Sequence, residues 1–313
     1  MLKWLRRIII GFVAAVVLLV GGVLVAFSIW RAGYVHSLES DSQVISTRLG
    51  DVEYAILGEG TPYLYIHGAP GGYDQGLAEP RLRPNAFADL KVISVSRPGY
   101  LRTPLSSGET PAEQADLFAA LLDEIGVQRV IVTAISAGGP SGLQFALRHP
   151  DRTTGLVLIA PGIAAQPDQQ YENPTGTVGT TLLDVVLWAG GRWLFPAMLP
   201  GFDADDPDQV AIARVWGTSV IPLARRTQGA INDFAVMREL DVENWSLEEL
   251  TVPTLILHGD IDRNAPFRGS EAAAARIPNA ELVTFKGVGH EFSLTRPREI
   301  DAEIGRFITK LNE

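Results

Sequence analysis

Apolar residues in this chain form short continuous runs bounded by turn-forming residues, and these runs alternate with segments of helical periodicity. Six runs are predicted to be buried strands, at residues 63–66, 91–96, 127–133, 155–160, 254–258 and 281–285. Strands that are nearly continuous apolar runs, rather than alternating ones, are typical of a parallel sheet covered on both faces. The pattern therefore predicts an α/β fold with a mostly parallel sheet and helices on both sides.

Polar alternation and capping signals define the other elements. Residues 43–48 and 52–57 are predicted to form an antiparallel pair joined at Gly50-Asp51. The segment Thr110-Pro111-Ala112-Glu113 is a capping box with proline at the first helical position, and it opens a helix that stops at Gly126. Further helices are expected from Ser136 to Leu147, over 270–276 and over 297–311.

The alternation of strands and helices breaks between residues 163 and 250. This stretch is richer in Pro, Gly and Trp and has helical patches at 180–188 and 209–220. We interpret it as a helical insertion between two parts of one core, residues 43–162 and 251–313.

The N-terminus carries the longest apolar run. From Ile8 to Trp30 no residue is charged, and as a helix this run would span roughly 35 Å at about 1.5 Å per residue. Basic residues precede it, which places the N-terminus in the cytoplasm and the large domain outside. Residues 1–31 are thus predicted to be a transmembrane anchor and 32–42 a stalk. The alternative is a cleaved signal with Ala26-Phe-Ser28 as its cleavage site.

Composition excludes several classes of function. The net charge is −10, which argues against a nucleic-acid partner, because a phosphate-binding face needs clustered Lys and Arg. The chain has no cysteine, so disulfides, thiolate catalysis and cysteine zinc sites are excluded. The few histidines lack ligand-like partners, and we expect neither a metal nor a cofactor. The sequence leaves the oligomeric state open.

The segment after the 127–133 strand points to nucleophilic chemistry. A strand that turns sharply at Ser136 and leaves in a helix exposes the hydroxyl and aims free helix N–H groups at its target. Three other polar motifs also follow predicted strands: 67–72 (His-Gly-Ala-Pro-Gly-Gly), 258–262 (His-Gly-Asp-Ile-Asp) and 287–290 (Gly-Val-Gly-His). Since carboxyl ends of parallel strands meet at one crevice, we expect these motifs to converge.

From about Val44 onward the sequence resembles the α/β-hydrolase superfamily, in its serine hydrolase branch with a cap. The resemblance rests on the four motifs and on the chain order Ser136, Asp262, His290. It implies that Ser136 is the nucleophile, His290 its base and Asp262 the acid, with Asp260 as the alternative acid. The implied oxyanion donors are the backbone N–H groups of Ala137 and Ala69, with Gly68 also possible.

Two departures from the family pattern occur near the crevice. Ala134 stands where the serine turn usually has glycine. The loop that begins at Ser96 has Ser for Asp, and Leu101 replaces its second glycine. Tyr100 of this loop and four cap aromatics are predicted to line an apolar substrate pocket; the four are Trp188, Trp193, Phe195 and Trp216. Five further polar residues are expected to face solvent, namely Arg225, Arg226, Asn232, Asp233 and Glu291.

These features predict a membrane-anchored serine hydrolase that cleaves a small carboxylic ester through an acyl-enzyme. One alternative is an aminopeptidase or amidase, because proline iminopeptidases share the H-G-x-P-G-G loop. A cap carboxylate such as Asp233 or Glu239, holding an amine beside Ser136, would favour it. A non-catalytic binding protein on the same fold is a second alternative. Carbon–carbon bond hydrolysis and perhydrolysis use the same residues and are not separable by sequence.

Overall fold

An eight-stranded sheet, in the order β1-β2-β4-β3-β5-β6-β7-β8, forms the centre of the molecule. The computed structural model describes residues 2–166, 176–197, 199–240 and 242–313. The strands are β1 Gln43–Thr47, β2 Gly50–Leu57, β3 Thr61–Ile66, β4 Leu90–Val95, β5 Val130–Ile135, β6 Thr153–Ile159, β7 Thr254–Gly259 and β8 Ala280–Phe285. β2 pairs antiparallel with β1 and β4, and all other neighbours are parallel. The predicted mostly parallel sheet is confirmed.

Helices cover both faces of this sheet. The α-helices of the described residues are α1 Leu2–Ser40, α2 Tyr73–Leu82, α3 Pro111–Glu124, α4 Gly139–Arg148, α5 Gly176–Ala197, α6 Pro207–Ser219, α7 Thr227–Glu239, α8 Arg268–Arg276, α9 Phe292–Thr295 and α10 Pro297–Leu311. One core cluster joins the sheet to α3, α4 and α8, and a second joins the opposite face to α2 and α10. Two apolar layers therefore enclose the parallel strands, as their continuous apolar sequences predict.

Local signals set most element boundaries. The capping box of α3 is present, with Thr110 and Glu113 each accepting from the other's backbone N–H. β5 begins three positions later than predicted, at Val130. Gly126 at φ 69° closes α3, and the Val127 N–H donates to the Leu122 carbonyl, so Val127 belongs to the helix end.

Helix α2 was missing from the sequence prediction, because Gly76 and Pro80 interrupt its helical pattern. Gly76 has a packing role: a Cβ at this position would lie 2.2 Å from the Ser94 hydroxyl and 2.4 Å from the Tyr65 ring. The glycine lets α2 approach the sheet, where Tyr73 and Leu77 are buried.

Among the described residues, α5, α6 and α7 lie between β6 and β7, in the segment that we interpret as a cap. α5 and α6 pack along each other, and Gly191 of α5 lies against the backbone of Gly217 of α6. A third apolar cluster joins α6 to α9, with Ile212 and Leu294 buried in it.

Helix α1 extends from the apolar run into the globular part of the molecule. It is long and apolar enough to cross a membrane, and the window that qualifies is 0% buried. Farther along, Phe27 and Leu38 are buried, and the Tyr73 hydroxyl donates to the Leu38 carbonyl at 2.7 Å. The segment 32–42, interpreted as a stalk, is therefore mostly the docked end of this helix rather than a spacer.

Candidate active site

Ser136 stands at a sharp turn between β5 and α4. Its φ is 51°, in the left-handed region, and a short 3₁₀ turn, Ser136–Gly138, leads into the helix. Ala134 is accommodated because Gly142 faces it: a Cβ at Gly142 would lie 2.5 Å from that of Ala134. Gly142 of α4 thus lacks a side chain at the point where Ala134 of β5 approaches the helix. Strain at Ser136 is the kind found at nucleophile turns.

The structure brings Ser136, His290 and Asp262 into one hydrogen-bonded series. The Ser136 hydroxyl lies 2.9 Å from His290 Nε2, and His290 Nδ1 lies 2.7 Å from Asp262 Oδ2. Asp262 follows β7 and His290 follows β8, so adjacent parallel strands deliver both side chains to the same sheet edge. With Nδ1–H donating to the carboxylate, Nε2 is free to accept the serine proton.

Asp262 is held ionised by four hydrogen bonds. Oδ1 accepts from the backbone N–H groups of Asn264 and Ala265, and Oδ2 accepts from His258 and His290. Burial alone would raise its pKa, but the hydrogen bonds from the two histidines outweigh burial and hold the pKa of Asp262 far below its ordinary value. The carboxylate is thus available to fix the His290 tautomer.

The carboxylate of Asp260, the alternative acid, contacts Gly287 and Lys286 rather than His290. Its Oδ1 accepts from the Gly287 N–H at 2.7 Å, and its other oxygen lies 3.6 Å from Lys286, which is exposed. Asp260 therefore closes the turn between the β7 and β8 ends, and the geometry places Asp262 alone against His290.

His258 is a residue of this site to which the sequence analysis assigned no role. It is completely buried; Nε2 lies 3.0 Å from both Asp262 Oδ2 and the Ala265 carbonyl, while Nδ1 lies 2.6 Å from the Ser270 hydroxyl. Ser270 can donate to Nδ1, which leaves Nε2–H to donate to the carboxylate. The position of a histidine at the end of β7, four residues before Asp262, is the signal that could have identified it.

The loop after β3 lies beside the serine. Gly68 and Ala69 line the same cavity as Ser136, and a Cβ at Gly68 would lie 2.9 Å from that of Ser136. His67 is buried: Nδ1 lies 2.6 Å from the Gly68 carbonyl, and Nε2 accepts the Arg97 N–H at 2.9 Å. Burial and the neighbouring Arg97 hold the pKa of His67 well below its ordinary value. His67 is therefore a neutral residue that shapes this loop.

The cavity in front of Ser136 has a volume of about 210 Å³ and a mainly apolar wall. The wall residues beyond the serine, histidine and loop are Gln75, Ile135, Ile159, Ala160, Trp216, Val220, Glu291, Ser293 and Leu294. Glu291, expected to face solvent, is half-buried in this wall. Within the described ranges, no group of three or more His, Asp or Glu side chains is placed to hold a metal ion.

Of the predicted pocket aromatics, only Trp216 lines this cavity among the side chains that the structure describes. Tyr100 is fully buried and donates its hydroxyl proton to Asp233. Trp188 packs against Phe27 of α1, and Trp193 is 64% exposed. The Phe195 side chain lies outside the described part of the chain. The prediction was wrong for Tyr100, Trp188 and Trp193, because aromatic residues in a cap also serve packing against the core and against α1.

Two buried arginines connect the cap to the loops around Ser136. Arg97, after β4, forms a bidentate ion pair with Asp233 of α7 and donates from Nε to the His67 carbonyl at 2.8 Å. Arg226, before α7, pairs with Asp74 and donates to the Gly71 carbonyl at 2.6 Å. We call these two ion pairs the arginine clamp.

The arginine clamp corrects the expectation that Arg226 and Asp233 face solvent. Arg226 is 0% and Asp233 is 5% exposed. Asp233 is buried where α7 packs on Arg97 and Tyr100, and Arg226 is buried against Asp74 and the Gly71 carbonyl. The carboxylate of Asp233 is occupied by Arg97 and Tyr100, so it does not reach an amine beside Ser136.

Similarity to known proteins agrees with the resemblance that the sequence motifs indicate. A family model described as "alpha/beta hydrolase fold" matches residues 61–297. An alpha/beta hydrolase fold protein from Nakamurella multipartita is 31% identical, with a TM-score of 0.72 over 85% of this chain and 98% of that one. A 2-hydroxy-6-oxononadienedioate/2-hydroxy-6-oxononatrienedioate hydrolase of Cupriavidus pinatubonensis is 27% identical over 80% of this chain and 89% of its own length.

One further solved structure is similar over nearly the whole chain. It is described as a membrane phospholipase A, and it matches 96% of this chain and 99% of its own length with a TM-score of 0.67. At 20% identity this likeness concerns the fold alone.

Proposed function

The chain belongs to the alpha/beta hydrolase fold family, and on that basis we propose that it is a serine hydrolase acting on carboxylic esters. The observation that carries the proposal is the hydrogen-bonded series from Ser136 through His290 to Asp262. A serine hydroxyl is a weak nucleophile until a base takes its proton, and this series supplies the base and the carboxylate that orients it.

Acylation begins with attack of Ser136 Oγ on the ester carbonyl carbon while His290 Nε2 takes the hydroxyl proton. Asp262 stabilises the imidazolium that forms, without itself taking a proton. The negative oxygen of the tetrahedral intermediate accepts from the backbone N–H groups of Ala137 and Ala69. Each such donor contributes about 3 kcal/mol to transition-state stabilisation.

The intermediate collapses when the bond to the alcohol oxygen breaks, and His290 returns its proton to that oxygen. The acyl group is then bound to Ser136 as an ester. Water attacks this acyl-enzyme, His290 accepts its proton, and a second tetrahedral intermediate releases the carboxylic acid and restores the Ser136 hydroxyl.

The cavity wall favours a small, uncharged, apolar acyl group. Apart from His290, the described wall residues include no basic side chain, and Ile135, Ile159 and Leu294 make much of it apolar. A dicarboxylate such as the one in the name of the Cupriavidus pinatubonensis relative would need a cationic partner here. The ester proposal therefore takes precedence over carbon–carbon bond hydrolysis.

A second candidate substrate class is an aminoacyl ester or amide, and Glu291 is the observation that favours it. Glu291 lies in the same cavity wall as Ser136 and His290, and we propose its carboxylate as the partner of a substrate ammonium group. Comparing acetyl, butyryl and aminoacyl p-nitrophenyl esters in wild type and Glu291→Gln separates the two classes. Selective loss of aminoacyl turnover in Glu291→Gln would favour the second.

A fluorophosphonate probe tests the central proposal directly. With the full chain purified in detergent, peptide mass spectrometry should find the adduct on Ser136, and Ser136→Ala and His290→Ala should abolish it. Absence of the adduct on folded wild-type protein, together with no turnover of any ester, would overturn the serine hydrolase proposal in favour of a binding protein.

We further propose that the chain is anchored through residues 8–30, with the N-terminus in the cytoplasm and the hydrolase part outside. The support is the long apolar helix α1 and the basic residues that precede its apolar run. Cleavage after Ser28 would remove Phe27, which is buried and packs on Trp188. This contact favours a retained anchor over a cleaved signal.

A further inference from the structure

Helix α5 has its polar and apolar faces reversed relative to an ordinary helix on a soluble domain. Thr180 and Asp184 are buried, at 4% and 1% exposure. The opposite face carries residues at intervals of three or four positions that are apolar and exposed: Val178, Leu182, Val186, Ala189 and Trp193. We call this set the outer face of α5. A helix packed on a water-soluble core normally turns such a stripe inward.

The outer face is apolar without interruption by charge. Val178 is 74%, Leu182 57%, Val186 53% and Trp193 64% exposed. Of the exposed side chains that the structure describes on α5, none is charged. Scattered exposed apolar residues are ordinary. A contiguous stripe along four turns of helix instead marks a surface that is covered by another protein or by a membrane.

The position of α5 indicates which of these partners covers its outer face. Its Trp188 contacts Phe27 and Trp30 of α1, with ring centroids 5.6 and 6.0 Å apart. Those residues end the uncharged run Ile8–Trp30, at the level where α1 leaves the globular part. α5 therefore lies at the depth where a membrane-spanning α1 would emerge from the lipid.

We propose that the outer face of α5 rests in the interfacial layer of a phospholipid bilayer, beside α1. The inference depends on the proposed anchoring of α1, since α1 sets the depth of α5. An interfacial helix with one apolar face buries that face about 5–10 Å into the boundary of headgroups and acyl chains. The partner is thus a lipid surface.

Contact with lipid at α5 would also bring the substrate cavity close to the bilayer. α5 packs on α6, and α6 carries Trp216, which lines the cavity in front of Ser136. α6 therefore links α5 to the cavity wall. The substrate class that fits this arrangement is an ester that partitions into the membrane rather than one dissolved in water.

The absence of cysteine makes a site-specific test direct. Leu182→Cys and Val186→Cys, each labelled with the environment-sensitive fluorophore NBD, are reconstituted as full chains into phosphatidylcholine vesicles. Lys310→Cys, at an exposed position of α10, is the matched control, and Val17→Cys reports the depth of α1. The quencher is phosphatidylcholine with a nitroxide near the top of one acyl chain.

The proposal predicts that the nitroxide lipid lowers fluorescence at positions 182 and 186 by at least about twofold, with position 310 unaffected. Labels at 182 and 186 that behave like the label at 310 would overturn it, provided that position 17 is quenched by a second lipid whose nitroxide lies near the end of the acyl chain. Unquenched fluorescence at position 17 would overturn the anchoring and this proposal together. Shielding from water with cross-linking between two copies of the Leu182→Cys variant would assign the face to a second copy, which also overturns it.

A functional measurement separates this proposal from the proposed chemistry. The double variant Leu182→Glu, Val186→Glu should hydrolyse a water-soluble ester like the wild type. Its turnover of the same acyl group presented as a long-chain ester in vesicles should fall at least about tenfold, because charge on this face opposes lipid contact. Equal turnover of the vesicle ester by the wild type and the double variant would contradict the proposed lipid contact of α5. The quenching measurement needs no activity, so it stands even if Ser136 proves unreactive.

Discussion

At the scale of single residues, two aspartates two positions apart have different tasks. Asp262 receives hydrogen bonds from two histidines and two backbone N–H groups, whereas Asp260 holds the Gly287 N–H and pairs with an exposed lysine. Both follow the same strand and both are common turn residues. Only the direction in which the chain bends after β7 selects the carboxylate that faces His290.

This difference leads to a paired prediction. Asp262→Asn should lower kcat for an ester by about 10⁴-fold, the order found for the template Ser-His-Asp enzyme, because an amide favours the wrong imidazole tautomer. Asp260→Asn should change kcat by less than about threefold, since the lost hydrogen bond lies in an exposed turn. Steady-state kinetics on purified protein check both. The reverse ranking would assign the acid to Asp260.

His67 provides a prediction for pH dependence. Its pKa in the folded protein lies well below the ordinary value because of burial and Arg97, while in the unfolded chain it is about 6.5. Below pH 6.5 the unfolded chain therefore binds a proton that the folded protein does not. The unfolding free energy should fall with decreasing pH in this range, at up to about 1.4 kcal/mol per pH unit from this group.

The measurement is denaturant unfolding between pH 5 and 7 in wild type and His67→Gln. Glutamine can still accept the Arg97 N–H but does not titrate. The slope of unfolding free energy against pH should therefore be shallower in His67→Gln, by up to about 1.4 kcal/mol per pH unit. Parallel slopes in the two proteins would show that His67 has an ordinary pKa in the folded state.

At the scale of elements, the arginine clamp determines how the cap meets the core. Arg97 reaches from the core to Asp233 of α7, and Arg226 reaches from the cap side to Asp74 of α2. Each arginine also donates to a carbonyl of the 67–72 loop, at His67 and Gly71. The clamp therefore fixes the loop that carries Gly68 and Ala69 while it holds α7 against the core.

We expect Arg226→Met to cost about 3–5 kcal/mol of unfolding free energy, because it leaves the Asp74 carboxylate unpaired near a buried contact. Removing both charges in Arg226→Met, Asp74→Leu should recover most of that loss. Arg148→Met is the control, since the Arg148–Asp116 pair is 44% and 30% exposed and should contribute about 1 kcal/mol or less. Urea titrations compare the three. Equal losses in Arg226→Met and Arg148→Met would contradict a buried clamp.

At the scale of the whole molecule, α1 unites the proposed anchor and the hydrolase part in one continuous helix. Its apolar part is exposed, while Phe27 and Leu38 are buried and Glu39 pairs with Arg225. An anchor that is packed onto the domain in this way fixes the orientation of the domain relative to the membrane, which a flexible linker would not do.

The proposed topology predicts that protease added to intact cells removes the part of the chain after residue 31. The reason is that basic residues before Ile8 favour a cytoplasmic N-terminus. An antibody to the C-terminus detects the loss, and a cytoplasmic protein that stays intact is the control. Protection in intact cells followed by digestion after lysis would reverse the topology.

Local signals in the sequence were enough to predict the sheet, most helices and the order of the motifs. Continuous apolar runs predict buried parallel strands, and capping residues predict helix ends. Ser136 and His290 were predicted as site candidates for a related reason. Each follows a strand, and the carboxyl ends of parallel strands converge whatever the loops between them.

The neighbours that each side chain meets follow from the tertiary fold and not from local signals. The choice of Asp262 over Asp260, the support from His258, the burial of Arg226 and the outward face of α5 all depend on contacts between segments far apart in the chain. A helical Arg or Asp looks solvated in sequence because nothing local records the partner that will desolvate it. Likewise Trp188 and Trp216 are the same residue type, and only packing places one against α1 and the other beside Ser136.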